Sequence, residues 1–123
     1  MNSRFENTTN DGVDFSGSIV TIDQCQFRNC GDKGISVGEA SDVSVFNTNI
    51  KDCPIALASK DLSVVLVRDV ALIDCLQGFV AFQKKPEFGP ARILVERYRA
   101  EGVDRLYEIA PGSRLQLEQQ IIE

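Results

Sequence analysis

The side chains best suited to chemistry in this chain are four cysteines, Cys25, Cys30, Cys53 and Cys75, and a set of charged turn residues. No histidine accompanies them. Ser-His-Asp and Cys-His catalysis are therefore excluded, as is an imidazole metal ligand. The cysteines form no C-x-x-C pair, so a zinc set is not spelled out. A disulfide framework normally travels with a secretory signal. The opening residues, Met1 to Asn7, are polar and include Glu6, which is not signal-like. The expectation is a reduced, cytoplasmic chain whose cysteines act as small buried hydrophobes.

The charged candidates lie in three turns: Gly38 to Asp42, Ala58 to Asp61, and the longer Gln83 to Pro90. Lys60, Lys84 and Lys85 could contact a carboxylate or sulfate, and Asp61 and Glu87 could join Glu39 and Asp42 around a Ca²⁺. Lys60, Asp61, Lys84, Lys85 and Glu87 are accordingly the candidate ligand residues. The plainer reading is a charge-paired, solvated edge that prevents strands from mispairing, and it is preferred. No paired-carboxylate signature marks a glycosidase. Gly31-Asp32-Lys33-Gly34 lacks the P-loop spacing and reads as a turn in which glycine supplies positive φ; Asn10-Asp11-Gly12 reads the same way. No catalytic residue, cofactor or metal is assigned.

These residues sit on an ordinary globular background. The 123 residues carry 13 Lys+Arg and 18 Asp+Glu, and 43% are hydrophobic. That composition fits one domain over 1–123. A net charge of -5 argues against nucleic-acid and anionic-membrane partners, because nothing would neutralise phosphates. The apolar stretch Leu62 to Val67 is far too short to span a bilayer.

An internal repeat positions the candidates. Val20, Ile22, Phe27 and Cys30 are matched by Val43, Val45, Ile50 and Cys53. The pattern returns as Val65, Val67, Val70, Leu72 and Cys75, then as Ile93, Val95, Tyr98, Ala100 and Val103. A second short strand follows in each unit: Gly34–Val37 is matched to Pro54–Leu57, Gly78–Ala81 and Leu106–Ile109. The opening residues fit half a unit, with Phe5 under Phe27 and Gly12–Phe15 under Gly34–Val37, and Leu115 and Leu117 begin a last one. Apolar and polar residues alternate with period two, and helical spacing is not sustained. A period near 22 residues built from short strands predicts an all-β solenoid of about four to five coils, with equivalent side chains stacked into interior ladders. A leucine-rich repeat is excluded by the missing L-x-x-L-x-L-x-x-N pattern and helical half.

These ladders resemble the right-handed parallel β-helices of the pectate-lyase-like superfamily, and most nearly the β-helix repeat regions of larger bacterial proteins. The resemblance runs from about Phe5 to Leu117. It implies a right-handed single-stranded parallel β-helix, and a superfamily of polysaccharide lyases, hydrolases, epimerases, tailspikes and adhesins. It transfers no catalytic residue. Enzymatic members are usually longer, and this chain has no Trp for a sugar platform.

Within such a coil Cys30, Cys53 and Cys75 share one ladder, and Cys25 stands on another with Thr48, Val70 and Tyr98. Ladder Cβ vectors run parallel, which disfavours a disulfide and makes packing the better reading than a soft three-thiolate metal or redox site. On the outward face, Phe46, Leu66 and Leu94 cluster near one another, alongside rows Thr21-Ser44-Leu66-Leu94-Gln116 and Asp23-Phe46-Arg68-Glu96. An apolar cluster on a flat sheet suggests an isologous homodimer. The segment Arg114 to Glu123 is expected to add a strand or fold over the end. The expected function is a non-enzymatic, self-associating binding or scaffold module. The alternative is a carbohydrate-active protein that binds or processes an acidic polysaccharide, or a related acidic small molecule, at the lysine-bearing edge.

Overall fold

The computed structural model describes residues 3–84 and 88–123. Thirteen strands are found among them: β1 (Arg4–Glu6), β2 (Val13–Ser16), β3 (Ile19–Asp23), β4 (Gln26–Arg28), β5 (Lys33–Gly38), β6 (Asp42–Lys51), β7 (Ile55–Lys60), β8 (Val64–Ile73), β9 (Gln77–Phe82), β10 (Arg92–Glu101), β11 (Arg105–Ile109), β12 (Arg114–Leu117) and β13 (Gln120–Ile122). They form two sheets. The first runs β1-β4-β6-β8-β10-β12-β13, with β3 also paired to β6, and the second runs β2-β5-β7-β9-β11. Every pairing is parallel except β12 with β13. The molecule is a parallel β-solenoid of about five turns.

The interior ladders follow the repeat. Val20-Val43-Val65-Ile93-Leu115 and Ile22-Val45-Val67-Val95-Leu117 are continuous in register. So is Phe5-Phe27-Ile50-Leu72-Ala100. The second sheet contributes Ile35, Leu57 and Phe79 to the same core. A fully buried side chain of this kind contributes about 1.5–3 kcal/mol, and no coil could bury its set without neighbours.

One register differs from the expected alignment. Ile35 partners Leu57, which in turn partners Phe79, and Ile55 partners Lys33 and Gln77. The second strand of that coil is thus displaced by two residues from the Pro54–Leu57 match. Alternation breaks at the start of this strand, where Ala56 and Leu57 both enter the core and Ile55, expected beside Ile35, is left half-buried on the outer face.

The chain turns through corners of left-handed backbone. One corner column holds Gln24, Asn47 and Asp69; a second holds Asn7, Asn29, Asp52, Asp74 and Gly102; a third includes Gly17, Glu39, Ala40, Asp61 and Leu62, all with positive φ. Asn and Asp tolerate this region because their short polar side chains bond locally. In the second column Asn29 Nδ2 donates to Asn7 Oδ1 at 2.8 Å. The expectation that Gly31 and Gly34 supply positive φ is corrected here, since Asn29, at φ 52°, makes that bend. Gly31 is required for room instead: a Cβ there would collide with the Thr9 carbonyl of the coil beneath.

A buried serine column precedes the first strand of successive coils. Ser41 Oγ accepts the Ser18 N–H at 3.0 Å and donates to the Gly38 carbonyl at 2.7 Å. Ser63 Oγ donates to the Val37 carbonyl at 3.1 Å and lies 2.7 Å from Ser59 Oγ. Ser113 Oγ accepts the Ala91 N–H at 3.0 Å. These hydroxyls satisfy backbone groups that the corner takes out of the ladder.

The C-terminal segment makes both expected moves in turn. β12 adds a parallel strand to β10, then Glu118 at φ 56° reverses the chain and β13 returns antiparallel. At the opposite end β1 lies on β4 and β2 on β5, with the Phe5 and Phe27 rings stacked at 4.9 Å.

Candidate functional site

The cysteine ladder lies inside the core. All four cysteines are free and buried. The Cys53 thiol donates to the Lys51 carbonyl at 3.4 Å and the Cys75 thiol to the Ile73 carbonyl at 3.5 Å. Burial pushes the Cys53 thiol up to about 12, and the neighbouring Cys30 thiol adds to the rise from its side chain. Burial raises Cys75 as well. A thiol so far from ionising is a poor nucleophile and a poor metal ligand. Among the described residues no group of three His, Cys, Asp or Glu side chains converges as a metal site would require.

At the charged corner the structure brings Lys60, Asp61 and Lys84 together. Asp61 is 1% exposed, and its Oδ1 accepts the Lys84 backbone N–H at 2.7 Å. That carboxylate fastens one coil to the next. The methylenes of Lys60 lie across Gly38, where a Cβ would meet them at about 3 Å. Glu39 accepts the Ser16 hydroxyl at 2.8 Å. Lys85 and Glu87 lie outside the described residues.

On the outer face of the first sheet Leu66 and Leu94 are Cα partners on adjacent strands, and both are half-buried. Phe46 is diagonal to Leu66, but its ring is covered: the Arg68 guanidinium stands 5.2 Å from the centroid. The expected row Phe46-Arg68-Glu96 is interrupted by a β-bulge, and the Cα partner of Arg68 is Arg97. Arg68 Nε still reaches Glu96 at 2.6 Å, while Arg97 forks onto Asp69 at 2.7 and 2.9 Å. These guanidinium contacts hold the Glu96 and Asp69 carboxyls below the usual carboxylate range.

A further concavity escaped the sequence reading. Ile55, Gln77, Val80, Phe82, Glu108 and Pro111 line a shallow groove of about 550 Å³ on the outer face of the second sheet. Gln77 Nε2 donates to Glu108 Oε2 at 2.8 Å along its wall. The signal was present in Phe79-Val80-Ala81-Phe82, where alternation gives way to a continuous apolar run.

Two sheets of parallel strands, a 22-residue period and asparagine-bearing corners are shared with a known family. A family model described as a right handed beta helix region matches residues 1–91. The chain belongs to that family. No curated protein and no solved structure matches it. The same ladders continue through β10 and β12, so the β-helix extends beyond the matched segment to Leu117. Among the described residues, no helix of the β-helix protein is long and apolar enough to cross a membrane.

Proposed function

We propose that this β-helix is a non-enzymatic, cytoplasmic binding or scaffold module that self-associates as a homodimer through the outer face of its first sheet. The observation that carries the reading is the side-by-side placement of Leu66 and Leu94 on that face. The Arg68–Glu96 and Arg97–Asp69 pairs border them on one side. An apolar centre within a polar rim is the usual anatomy of an interface, and a flat face meeting its own copy gives an isologous dimer. Leu66→Asp or Leu94→Asp tests it: the dimer should dissociate while the β-rich circular dichroism spectrum is kept. A dimer that survives both substitutions contradicts the interface.

A second reading has its own support. Lys60 and Lys84 stand on neighbouring coils beside Asp61, and neither ammonium has an ion-pair partner among the described residues. Free cations along the edge of a β-helix suit an acidic polysaccharide. Binding of polygalacturonate that is lost in Lys60→Ala and Lys84→Ala, with the oligomeric state unchanged, would favour this reading. Absence of binding by the parent protein would reject it.

A further inference from the structure

Most cations on the outer face of the first sheet are paired with an acid. Arg68 holds Glu96, Arg97 forks onto Asp69, Arg4 reaches Glu6 at 3.3 Å and Arg99 reaches Glu101 at 3.7 Å. Arg92 and Arg114 are Cα partners, and Glu123 relieves them by binding Arg114 at 3.1 Å. Arg28 and Lys51 break the pattern. They are Cα partners on β4 and β6, both exposed, and neither has an ion-pair partner among the described residues. Glu6, the Cα partner of Arg28 on β1, is engaged by Arg4 instead. Like charges directly opposite on neighbouring strands are unfavourable, so the pair costs the fold stability.

The two cations border a concavity of about 280 Å³ that is also lined by Gln26, Asn49 and Ile73. Gln26 and Asn49 are Cα partners on the same two strands, and no hydrogen bond engages either side-chain amide among the described residues. A second concavity, of about 310 Å³, meets the first at Asn49 and is bordered by Arg97 and Arg99. Those two cations are already paired with Asp69 and Glu101, so the uncompensated charge lies at Arg28 and Lys51.

Strands about 4.8 Å apart bring two such cations to one anion rather than to two. A guanidinium forks onto two oxygens, and an ammonium supplies a point charge to a third. The neighbouring amide NH₂ groups donate to what remains. Two positive charges with amide donors suit a tetrahedral dianion better than a carboxylate, which offers one charge and two oxygens. We propose that Arg28 and Lys51, with the Gln26 and Asn49 amides beside them, bind the dianionic phosphate group of a free phosphate ion or an organic phosphomonoester. The net charge of -5 opposes a nucleic-acid strand, but a single phosphate needs only this local pair. The site lies beyond the corner at Gln24, Asn47 and Asp69, on the other side from Leu66 and Leu94, and does not depend on self-association.

Isothermal titration at low ionic strength, with inorganic phosphate and phenyl phosphate as probes, tests the site. One saturable site is expected, and Arg28→Gln or Lys51→Gln should each weaken it about tenfold. Both positions are exposed, so circular dichroism should report an unchanged fold. Arg92→Gln, a matched loss of charge on the other half of the same sheet, should leave the affinity unchanged. Tighter binding of phenyl phosphate than of phosphate would point to an organic ester as the ligand, and equal or weaker binding to the free ion. Affinity for phenyl phosphate should fall below pH about 6, where the ester becomes a monoanion. Without ligand, Lys51→Gln should raise the thermal midpoint in low salt, and the gain should shrink in high salt, where repulsion is screened. The proposal is overturned if the parent protein binds neither probe saturably, or if binding survives Arg28→Gln combined with Lys51→Gln. An equal loss of affinity in Arg92→Gln would overturn it too, since any cation would then serve.

Discussion

Cys53 packs its thiol against that of Cys30 in the adjacent coil, inside a core where both residues are buried. The consequence is chemical silence. Thiol-specific reagents at pH 8 should leave all four cysteines unmodified in the native protein and label all four after denaturation. Rapid labelling of Cys53 or Cys75 under native conditions would contradict the buried ladder.

The same burial sets a pH dependence. Below the ordinary thiol value of 9.0 Cys53 is protonated in both states, and its contribution to stability is fully present. Between 9.0 and about 12 the unfolded thiol ionises while the folded one does not, so stability falls as pH rises. The slope from such a thiol reaches at most about 1.4 kcal/mol per pH unit. Chemical denaturation at pH 8, 9 and 10 should show the decline, and Cys53→Ala should make it shallower, leaving the share that Cys75 contributes. Cys53→Ala should also lower stability at pH 7 by about 1–2 kcal/mol through the cavity it leaves. An unchanged slope would mean the thiol is not shielded as the geometry requires.

Gly31 has no room for a methyl group, because the Thr9 carbonyl occupies the Cβ position. Backbone cannot swing aside as a flexible side chain would. Gly31→Ala should cost about 1–3 kcal/mol or prevent folding, read as a lower midpoint in urea. A neutral outcome would place the first coil further from the second than the structure does.

Ser63 is fully buried, with its hydroxyl held by Ser59 and by the Val37 carbonyl. Ser63→Ala leaves those partners short of a hydrogen bond in a site without solvent. The expected loss is about 1–3 kcal/mol, measured by thermal or chemical unfolding. Ser44→Ala, at a half-buried position on the outer face, serves as the comparison and should change stability little.

The apolar ladders were legible because strand periodicity and repeat spacing point to the same side chains. Val20, Val43, Val65, Ile93 and Leu115 line up in the sequence and in space. The register of Ile55 was not legible, since strict alternation puts it inside with Leu57, whereas the strand starts with two consecutive core residues, Ala56 and Leu57, that leave Ile55 on the outer face. The corners were hidden for a different reason. Asn29, Asp52 and Asp74 take positive φ, which their short polar side chains tolerate, whereas Gly31 serves a steric role. At the candidate sites, charge type alone could not separate Lys60, which lies over Gly38, from Asp61, whose carboxylate is committed to the Lys84 backbone. The cover that Arg68 places on Phe46 depends on a side-chain direction that only the structure supplies.

The central claim is self-association through Leu66 and Leu94, and solution mass tests it most directly. Light scattering on a size-exclusion column should give a dimer for the parent protein and a folded monomer for Leu66→Asp and Leu94→Asp. A parent that is monomeric at every concentration, or variants that remain dimeric, would contradict it.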